Sequence, residues 1–328
     1  MHSISPILRR LSRRTATPPG DATAWLDADE SFALWGAVLD GALPELELGT
    51  LLASLAITGE SAEELLGLHR ALAARQARFS PALARRAVSI PVHGLVPGEA
   101  AFSVLLALFL RRFEVPVVMH GPLDSPEGPS APMLLRELGV MPSATLADAE
   151  RDLRAGGIAF IPVQILSPAL GDILALRNRL GATNSAHLAA HAMDPGEMGA
   201  VRLAMSVPGT PSGRLPTFLA ASGGEALLLS WPATTLACTF AFRPRISHLS
   251  GGAEAVLFQA ENLERAGQAG PPASAPLVPW MRAVVERRAP APPPLVNLAA
   301  ACVHAAGAAA DFTEAKAIVA LQAGRLAA

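Results

Sequence analysis

The apolar positions follow two regimes along the chain. Up to about residue 88 they recur at helical spacing. Ile7, Leu8 and Leu11 form one stripe, which predicts a first helix whose arginines face water. Ser31 to Leu39 is a second apolar segment, closed by the helix-stop pair Asp40-Gly41. Leu46 to Ile57 is a third, broken by Thr58-Gly59. Ser61-Ala62-Glu63-Glu64 then reads as a capping box, with Leu65, Leu68 and Leu72 following on one face. No strand pattern interrupts these short helices.

Near Ala87 the period changes. Ala87 to Val92 reads as a strand ended by His93-Gly94, and a helix follows from Glu99 to Phe113. Val115 to Met119 is a second strand, ended by His120-Gly121. Pro132 to Leu138 is helical and stops at Gly139, and Ile158 to Val163 is a third strand. Strands alternating with helices predict a parallel sheet, with its ligand site beyond the carboxyl ends of the strands, where both His-Gly pairs fall. Helix returns over residues 168–194. Strands resume at Val201 to Val207, Ala226 to Trp231 and Cys238 to Phe242. Gly267 to Pro279 reads as a surface loop, Ala289 to Pro294 as a stiff connector, and Leu298 to Ala309 and Thr313 to Leu321 as two closing helices. The pairs Gly156-Gly157, Gly223-Gly224 and Gly251-Gly252 mark turns.

Composition narrows the function classes. Hydrophobic residues make up 51% of the 328 and charged residues 16%, so a large core is available. Net charge is −2, and Lys316 is the single lysine. A generally basic nucleic-acid binder is therefore excluded, and any such binding must come from local arginine clusters. Two cysteines, Cys238 and Cys302, give neither a disulfide framework nor a cysteine zinc site. A reducing, cytoplasmic setting fits, and no apolar run is long enough to span a membrane.

Few local patterns carry chemistry. His187 and His191 stand four apart on one helix, the spacing of zinc hydrolases, but Leu188 occupies the place of the general-base acid. They read as cap or surface histidines, and no metal or cofactor is expected. The loop His93 to Glu99 lies between a strand and a helix and could offer backbone N–H groups to a phosphate. Pro97 donates nothing there, and Glu99 would repel an anion. The pairs Arg9-Arg10, Arg13-Arg14, Arg85-Arg86, Arg111-Arg112 and Arg287-Arg288 are candidate phosphate contacts, though solvated helix faces are the commoner role.

The order of segments then resembles a known family. Asp40 to Gly49 and Thr58 to Leu65 resemble the N-terminal helical domain of the anthranilate phosphoribosyltransferase and pyrimidine nucleoside phosphorylase family. Val117 to Gly121, with Glu137-Leu138-Gly139, looks like its second strand and following helix. Leu176 to Gly181 resembles its mid-chain helix. Leu46-Glu47-Leu48-Gly49 and Asn184-Ser185-Ala186-His187 look like a divergent, DNA-binding branch of that family. The resemblance implies an α/β protein in two units: a small all-helical domain from 1–88 with 168–198 returning to it, and a larger α/β domain from 89–167 and 199–328 with a mostly parallel central sheet. It also implies a homodimer through the helical domains.

The family's site motifs are missing. Its transferases cradle pyrophosphate in a Gly-Thr-Gly-Gly-Asp loop where this chain has His93 to Glu99. They carry Lys-His-Gly-Asn-Arg where this chain has Met119-His120-Gly121-Pro122-Leu123. The expected serine pair falls in Ser125-Pro126-Glu127. No acid occurs between Glu225 and Glu254, where the magnesium-binding Asp-Glu pair is expected. The arginine expected after Leu-Gly is replaced at Ala182-Thr183. Phosphoribosyl transfer rests on neutralising a leaving pyrophosphate, so joint loss of these groups predicts loss of the parent reaction. The expectation is a catalytically degenerate homodimer that binds DNA or RNA without sequence preference, through Arg9, Arg10, Arg13 and Arg14, then Arg85, Arg86, Arg111 and Arg112. The alternative is an active glycosyl- or phosphoribosyltransferase with a rebuilt cleft, where His93, Gly94, His120, Gly121, Ser125, Asn184 and His187 would converge. A scaffold that kept only the dimer is the third reading.

Overall fold

The computed structural model describes residues 4–14, 24–125, 128–181, 183–196, 198–206, 214–231, 240–263 and 276–323. Outside them lie Pro126, Glu127, Ala182, Cys238 and Thr239 at the start of the expected Cys238 to Phe242 strand, and most of the Gly267 to Pro279 loop.

The helical unit opens with α1 (Ser5–Arg13), α2 (Ala28–Leu39), α3 (Glu45–Thr58) and α4 (Ala62–Ala73). The start of α2 is set by Asp27, which caps Asp29 and Glu30 while Glu30 reaches back. Ser61 and Glu64 form the expected capping box on α4. In α1, Leu11 is buried and Ile7 and Leu8 pack against the same core, so the apolar stripe holds. The expectation that all its arginines face water does not: Arg14 is buried.

The α/β part contains β1 (Val88–Pro91), α5 (Glu99–Leu110), β2 (Val117–Gly121), α6 (Ala131–Glu137), α7 (Leu146–Arg154) and β3 (Ile158–Pro162), with a 3-10 turn over 111–113 after α5. α8 (Val163–Leu166), α9 (Pro168–Ala175), α10 (Arg177–Leu180) and α11 (Ser185–His191) follow. Then come β4 (Val201–Ser206), α12 (Arg214–Ala221), β5 (Ala226–Ser230), β6 (Phe242–Arg243), β7 (Arg245–Ser250), β8 (Ala253–Phe258) and β9 (Glu261–Asn262). The chain closes with α13 (Leu277–Val285), α14 (Pro293–Ala305) and α15 (Phe312–Ala323).

Seven strands form one sheet in the order β3-β2-β1-β4-β5-β7-β8. β1 to β5 pair in parallel, and β7 and β8 add an antiparallel edge. The first five strands are short apolar runs buried on both faces, as parallel strands must be under helices. The order reverses between β1 and β4, which places a switch-point crevice at their carboxyl ends. His120 and Gly121 lie inside β2 rather than ending it, because Val92 N–H donates to the His120 carbonyl and extends the ladder. The Gly251-Gly252 turn joins β7 to β8, a hairpin the apolar pattern does not reveal because β8 is exposed over most of its length. α13 begins at Leu277, inside the expected loop. Pro293 starts α14, so the connector ends earlier than its prolines suggest.

One core fills the space between the sheet and α5, α13, α14 and α15; α5 is apolar on every side and almost wholly buried. A second joins α1 to α4 with α9, α11 and the opposite face of β2 and β3. The mid-chain helices therefore pack with the N-terminal ones.

Candidate functional site

The cleft forms where the β1–α5 loop meets α9 to α11. Gly98, at positive φ, caps α5, and Glu99 begins the helix. The Glu99 side chain folds back into its own loop. Its carboxylate accepts from His93 N–H at 2.8 Å, Leu95 N–H at 2.7 Å and Val96 N–H at 3.3 Å. Backbone N–H groups do converge here as the loop pattern suggests, but on the chain's own anion. Glu99 is fully enclosed, and burial raises its carboxyl pKa to about 7 against these hydrogen bonds.

Behind the loop stands a row of imidazoles. Ser89 Oγ donates to the Met193 carbonyl at 3.5 Å and accepts from His120 Nε2–H at 3.3 Å. His120 Nδ1 is then an acceptor, and His93 Nε2–H donates to it at 3.2 Å. That order leaves His93 Nδ1 as a buried lone pair with no partner. His191 packs against His93 with ring centroids 5.5 Å apart, both of its nitrogens lack hydrogen bonds, and Nε2 is 3.5 Å from Glu99 Oε1. Desolvation drives His93 and His191 well below the usual imidazole pKa and His120 to about 3, so the row is neutral.

On α11, Asn184 caps the helix by accepting from Ala186 N–H, and its own N–H donates to His187 Nδ1 at 3.2 Å. Asn184 Oδ1 lies 3.2 Å from the same nitrogen, so Asn184 holds the ring from that side. Burial, then the Arg177 charge, depress the His187 pKa to about 4. Arg177 Nη1 donates to the His93 and Gly94 carbonyls at 2.9 and 3.1 Å. A Cβ on Gly94 would stand 3.0 Å from that nitrogen, and Gly94 holds positive φ. Gly121 is equally constrained: its Cβ would meet the Val92 carbonyl oxygen at 2.1 Å.

These groups border a cavity of about 220 Å³, lined by His93, Gly94, Glu99, Arg177 and His187 with Asp124, Ser125 and Gln164 on the facing wall. Three of the expected cleft side chains, those of His93, Ser125 and His187, do meet there. His120 and Asn184 do not line it: His120 stands behind His93, and Asn184 is spent on its cap. His187 is a cap as expected, but neither it nor His191 is at the surface. Glu99, Arg177 and His191 are the residues that sequence reasoning left out of the site. Glu99 at a helix start directly after Gly98 was the one local signal.

The arginine candidates divide. Arg14 is enclosed, ion-paired to Glu64, bonded to the Ala24 and Gly59 carbonyls at 3.0 and 3.1 Å, and stacked on Trp25 at 4.2 Å. Arg10 pairs with Glu30 at 2.6 Å and reaches the Trp25 carbonyl. Both face inward from α1 because they stand one helical turn apart, and only Arg9 and Arg13 are exposed. Arg85 donates to the Phe113 carbonyl at 3.0 Å, which brings it beside Arg111 and Arg112 at the end of α5. Arg86 lies 3.4 Å from Glu225 and bonds the Ala305 carbonyl. Arg112 stacks on Phe109, and Arg287 and Arg111 depress its pKa after burial does. Arg85, Arg111, Arg112 and Arg287 thus gather where the chain enters β1 and β2, away from the cleft at the carboxyl ends, while Arg288 pairs with Glu286.

Among the described residues no helix is long and apolar enough to cross a membrane. Residues 7–76 match the helical bundle domain of the glycosyl transferase family. The Escherichia coli (strain K12) "Uncharacterized protein YbiB" is 29% identical over 294 residues, 88% of this chain and 91% of YbiB. Anthranilate phosphoribosyltransferase of Methylobacterium radiotolerans is 31% identical over 156 residues, 47% of this chain and 45% of that enzyme. The chain thus matches about half the length of that curated transferase. In solved structures, the anthranilate phosphoribosyltransferase of Thermus thermophilus superposes with a TM-score of 0.69 at 21% identity, covering 97% of this chain and 94% of that one. The Saccharomyces cerevisiae enzyme in complex with phosphoribosyl pyrophosphate and magnesium gives 0.64 at 12% identity, covering 98% and 94%. The α/β fold with its helical unit is therefore that of these transferases. The chain thus has the fold of the anthranilate phosphoribosyltransferases, carries a match to the helical bundle domain of the glycosyl transferase family, and resembles YbiB over most of its length.

Proposed function

We propose that this chain no longer transfers phosphoribosyl groups and acts as a homodimeric, sequence-independent nucleic-acid-binding protein. The observation that carries the first half is Glu99 in the β1–α5 loop. In the transferases that the sequence resembles, this loop cradles pyrophosphate; here its N–H donors already hold a carboxylate. Met119 stands in place of the family lysine and is fully buried. Each missing donor of this kind costs about 10²–10³ in rate, and no described cation replaces them beyond Arg177.

The nucleic-acid half is supported by the cluster of Arg85, Arg86, Arg111, Arg112 and Arg287. Like charges held together favour an anionic partner, with Glu114 3.9 Å from Arg85 and Glu225 3.4 Å from Arg86 as the acids at the edge of the cluster. Arg9 and Arg13 on α1 remain candidates, while Arg10 and Arg14 are committed to the fold. The dimer is supported by the exposed apolar side chains of α3, where Leu46 is 79% and Ile57 77% exposed. They stand three turns apart on one face of the helical unit.

The test is a salt titration of binding to a short duplex and a single strand. Each neutralised phosphate contributes a log–log slope of about −0.7 to −0.9. Arg111→Ala with Arg112→Ala should flatten the slope by up to about 1.8 without lowering Tm. Wild-type protein that binds neither nucleic acid at low salt refutes the partner. Turnover of phosphoribosyl pyrophosphate with magnesium refutes the first half. The cavity beside Arg177 and His187 favours the second reading, an enzyme with a rebuilt pocket, which that same turnover would establish.

A further inference from the structure

A second polar cluster borders the arginines, just before β1 and β5. Glu225 is its centre. Its carboxylate accepts from Ser250 Oγ at 2.8 Å and, through the other oxygen, from His248 Nε2–H at 2.5 Å. Arg86 Nη1 lies 3.4 Å from the same carboxylate and bonds the Ala305 carbonyl at 3.2 Å. The His248 ring packs edge-on against His304, with centroids 5.6 Å apart, and His304 in turn meets Phe312. His304 Nδ1 is buried without a partner. The Arg86 side chain is 42% exposed and open to a phosphate, while those of Glu225 and His248 are 18% and 14%. With His248 neutral, the charges of Arg86 and Glu225 cancel. Glu225 then opposes any anion that approaches the arginines from this side.

We propose that His248 is a proton-operated regulator of the nucleic-acid surface: the proton it takes up in mild acid is held against Glu225, turns the neutral Arg86–Glu225–His248 group into a cation, and tightens binding of a nucleic-acid strand. The inference rests on the nucleic-acid reading of the arginine cluster. Histidine is the side chain whose charge ordinarily changes between about pH 5 and 8. Among the described histidines, His69, His93, His120, His187 and His191 are kept neutral by burial in the interior. His304 is held down by desolvation and then by the His248 charge, against Asp311 and Glu225. One proton therefore enters the pair, on the ring that has a carboxylate to receive its charge. Glu225 stays ionised for it: burial would raise its carboxyl, but Ser250, His248 and Arg86 hold it below the usual range. The groups around His248 are Glu225 before β5, Arg86 before β1, and His304 from α14 with Asp311 beyond it. β8 sets Ala255 opposite His248, and the one charged residue of α12, Arg214, is committed to the Glu60 carbonyl. On α15, Lys316 lies over Phe312.

The experiment is fluorescence anisotropy of a labelled single strand and a labelled duplex with the whole protein, over a salt series at pH 8 and at pH 5.5. One added cation that engages a phosphate should steepen the log–log salt slope by about 0.7–0.9 at the lower pH. Affinity at fixed salt should rise between the two, by at most about tenfold per pH unit, the limit for one linked proton. His248→Gln keeps an N–H for Glu225 but takes up no proton, so its slope should be the same at both pH values. Glu225→Gln removes the opposing acid and should bind more tightly than wild type at pH 8. Wild-type binding with the same slope and affinity at both pH values overturns the proposal and leaves the nucleic-acid reading standing. So does a folded His248→Gln protein that keeps the full pH response. If that variant does not fold, Glu225→Gln decides: affinity no higher than wild type at pH 8 overturns the proposal. Wild-type protein that binds neither strand nor duplex at low salt, at either pH, overturns the reading and the proposal together.

Discussion

Removing Arg14 should unfold the helical unit rather than loosen a nucleic-acid surface. The Arg14 side chain is 2% exposed and its partner Glu64 3%. Arg14→Ala removes the ion pair and the bonds to the Ala24 and Gly59 carbonyls. It leaves Glu64 charged, with the Leu26 and Ser61 N–H groups as its remaining donors. Stranding one member of a buried pair costs about 3–5 kcal/mol. The two lost carbonyl bonds belong to the same rearrangement and are not added. At about 2–4 °C per kcal/mol for a protein of this size class, Tm should fall by roughly 6–20 °C. Urea unfolding followed by circular dichroism reads the change, with Arg9→Ala as the surface control. Arg14→Met combined with Glu64→Gln should recover part of the loss, because no buried charge is then stranded. An Arg14→Ala protein within about 1 kcal/mol of wild type, but with weaker DNA binding, would refute the reasoning and return Arg14 to the partner surface.

Two further outcomes follow from single positions. Glu60 is buried and bonded by Ser185, and desolvation raises its carboxyl to about pH 7. A raised acid pKa means the folded state holds the proton longer, so Glu60 makes stability fall as pH rises from about 4.5 to about 7, by roughly 3 kcal/mol. Glu60→Gln should flatten that part of the urea-midpoint profile and raise stability at pH 8; an unchanged profile contradicts it. Gly121→Ala places a Cβ 2.1 Å from the Val92 carbonyl oxygen, in the ladder between β1 and β2. Backbone cannot yield as a side chain tip can, so the variant should lose several kcal/mol or fail to accumulate as folded protein, read by Tm and soluble yield. A Tm within about 2 °C of wild type would show that the strands separate there cheaply.

Much of the architecture was legible because its causes are local. Asp27 with Glu30, and Ser61 with Glu64, cap helices using atoms three residues apart. The short apolar strands need burial on both faces, and that requirement is written in their composition. The exposed strand β8 and helix α7 escaped because a solvated element carries a weak apolar pattern. The family likeness was legible too, since segment order survives where site residues do not.

The site shows where sequence stopped. Alone it determined that His93 and His120 follow or end parallel strands, that the pyrophosphate motifs are absent, and that one lysine and a net charge of −2 leave binding to arginine clusters. It could not determine what each arginine or carboxylate does. Arg13 and Arg14 are neighbours in the chain, yet one is exposed and the other is buried against Glu64, fifty residues away. Glu99 looked like a residue that repels an anion; the fold makes it the anion. Arg177 enters the cleft only because α10 returns to the β1–α5 loop across more than eighty residues. Charge acts through distance in space and through exclusion of water, and both are properties of the packed chain. Periodicity and capping act within a turn or two, which is why they could be read first.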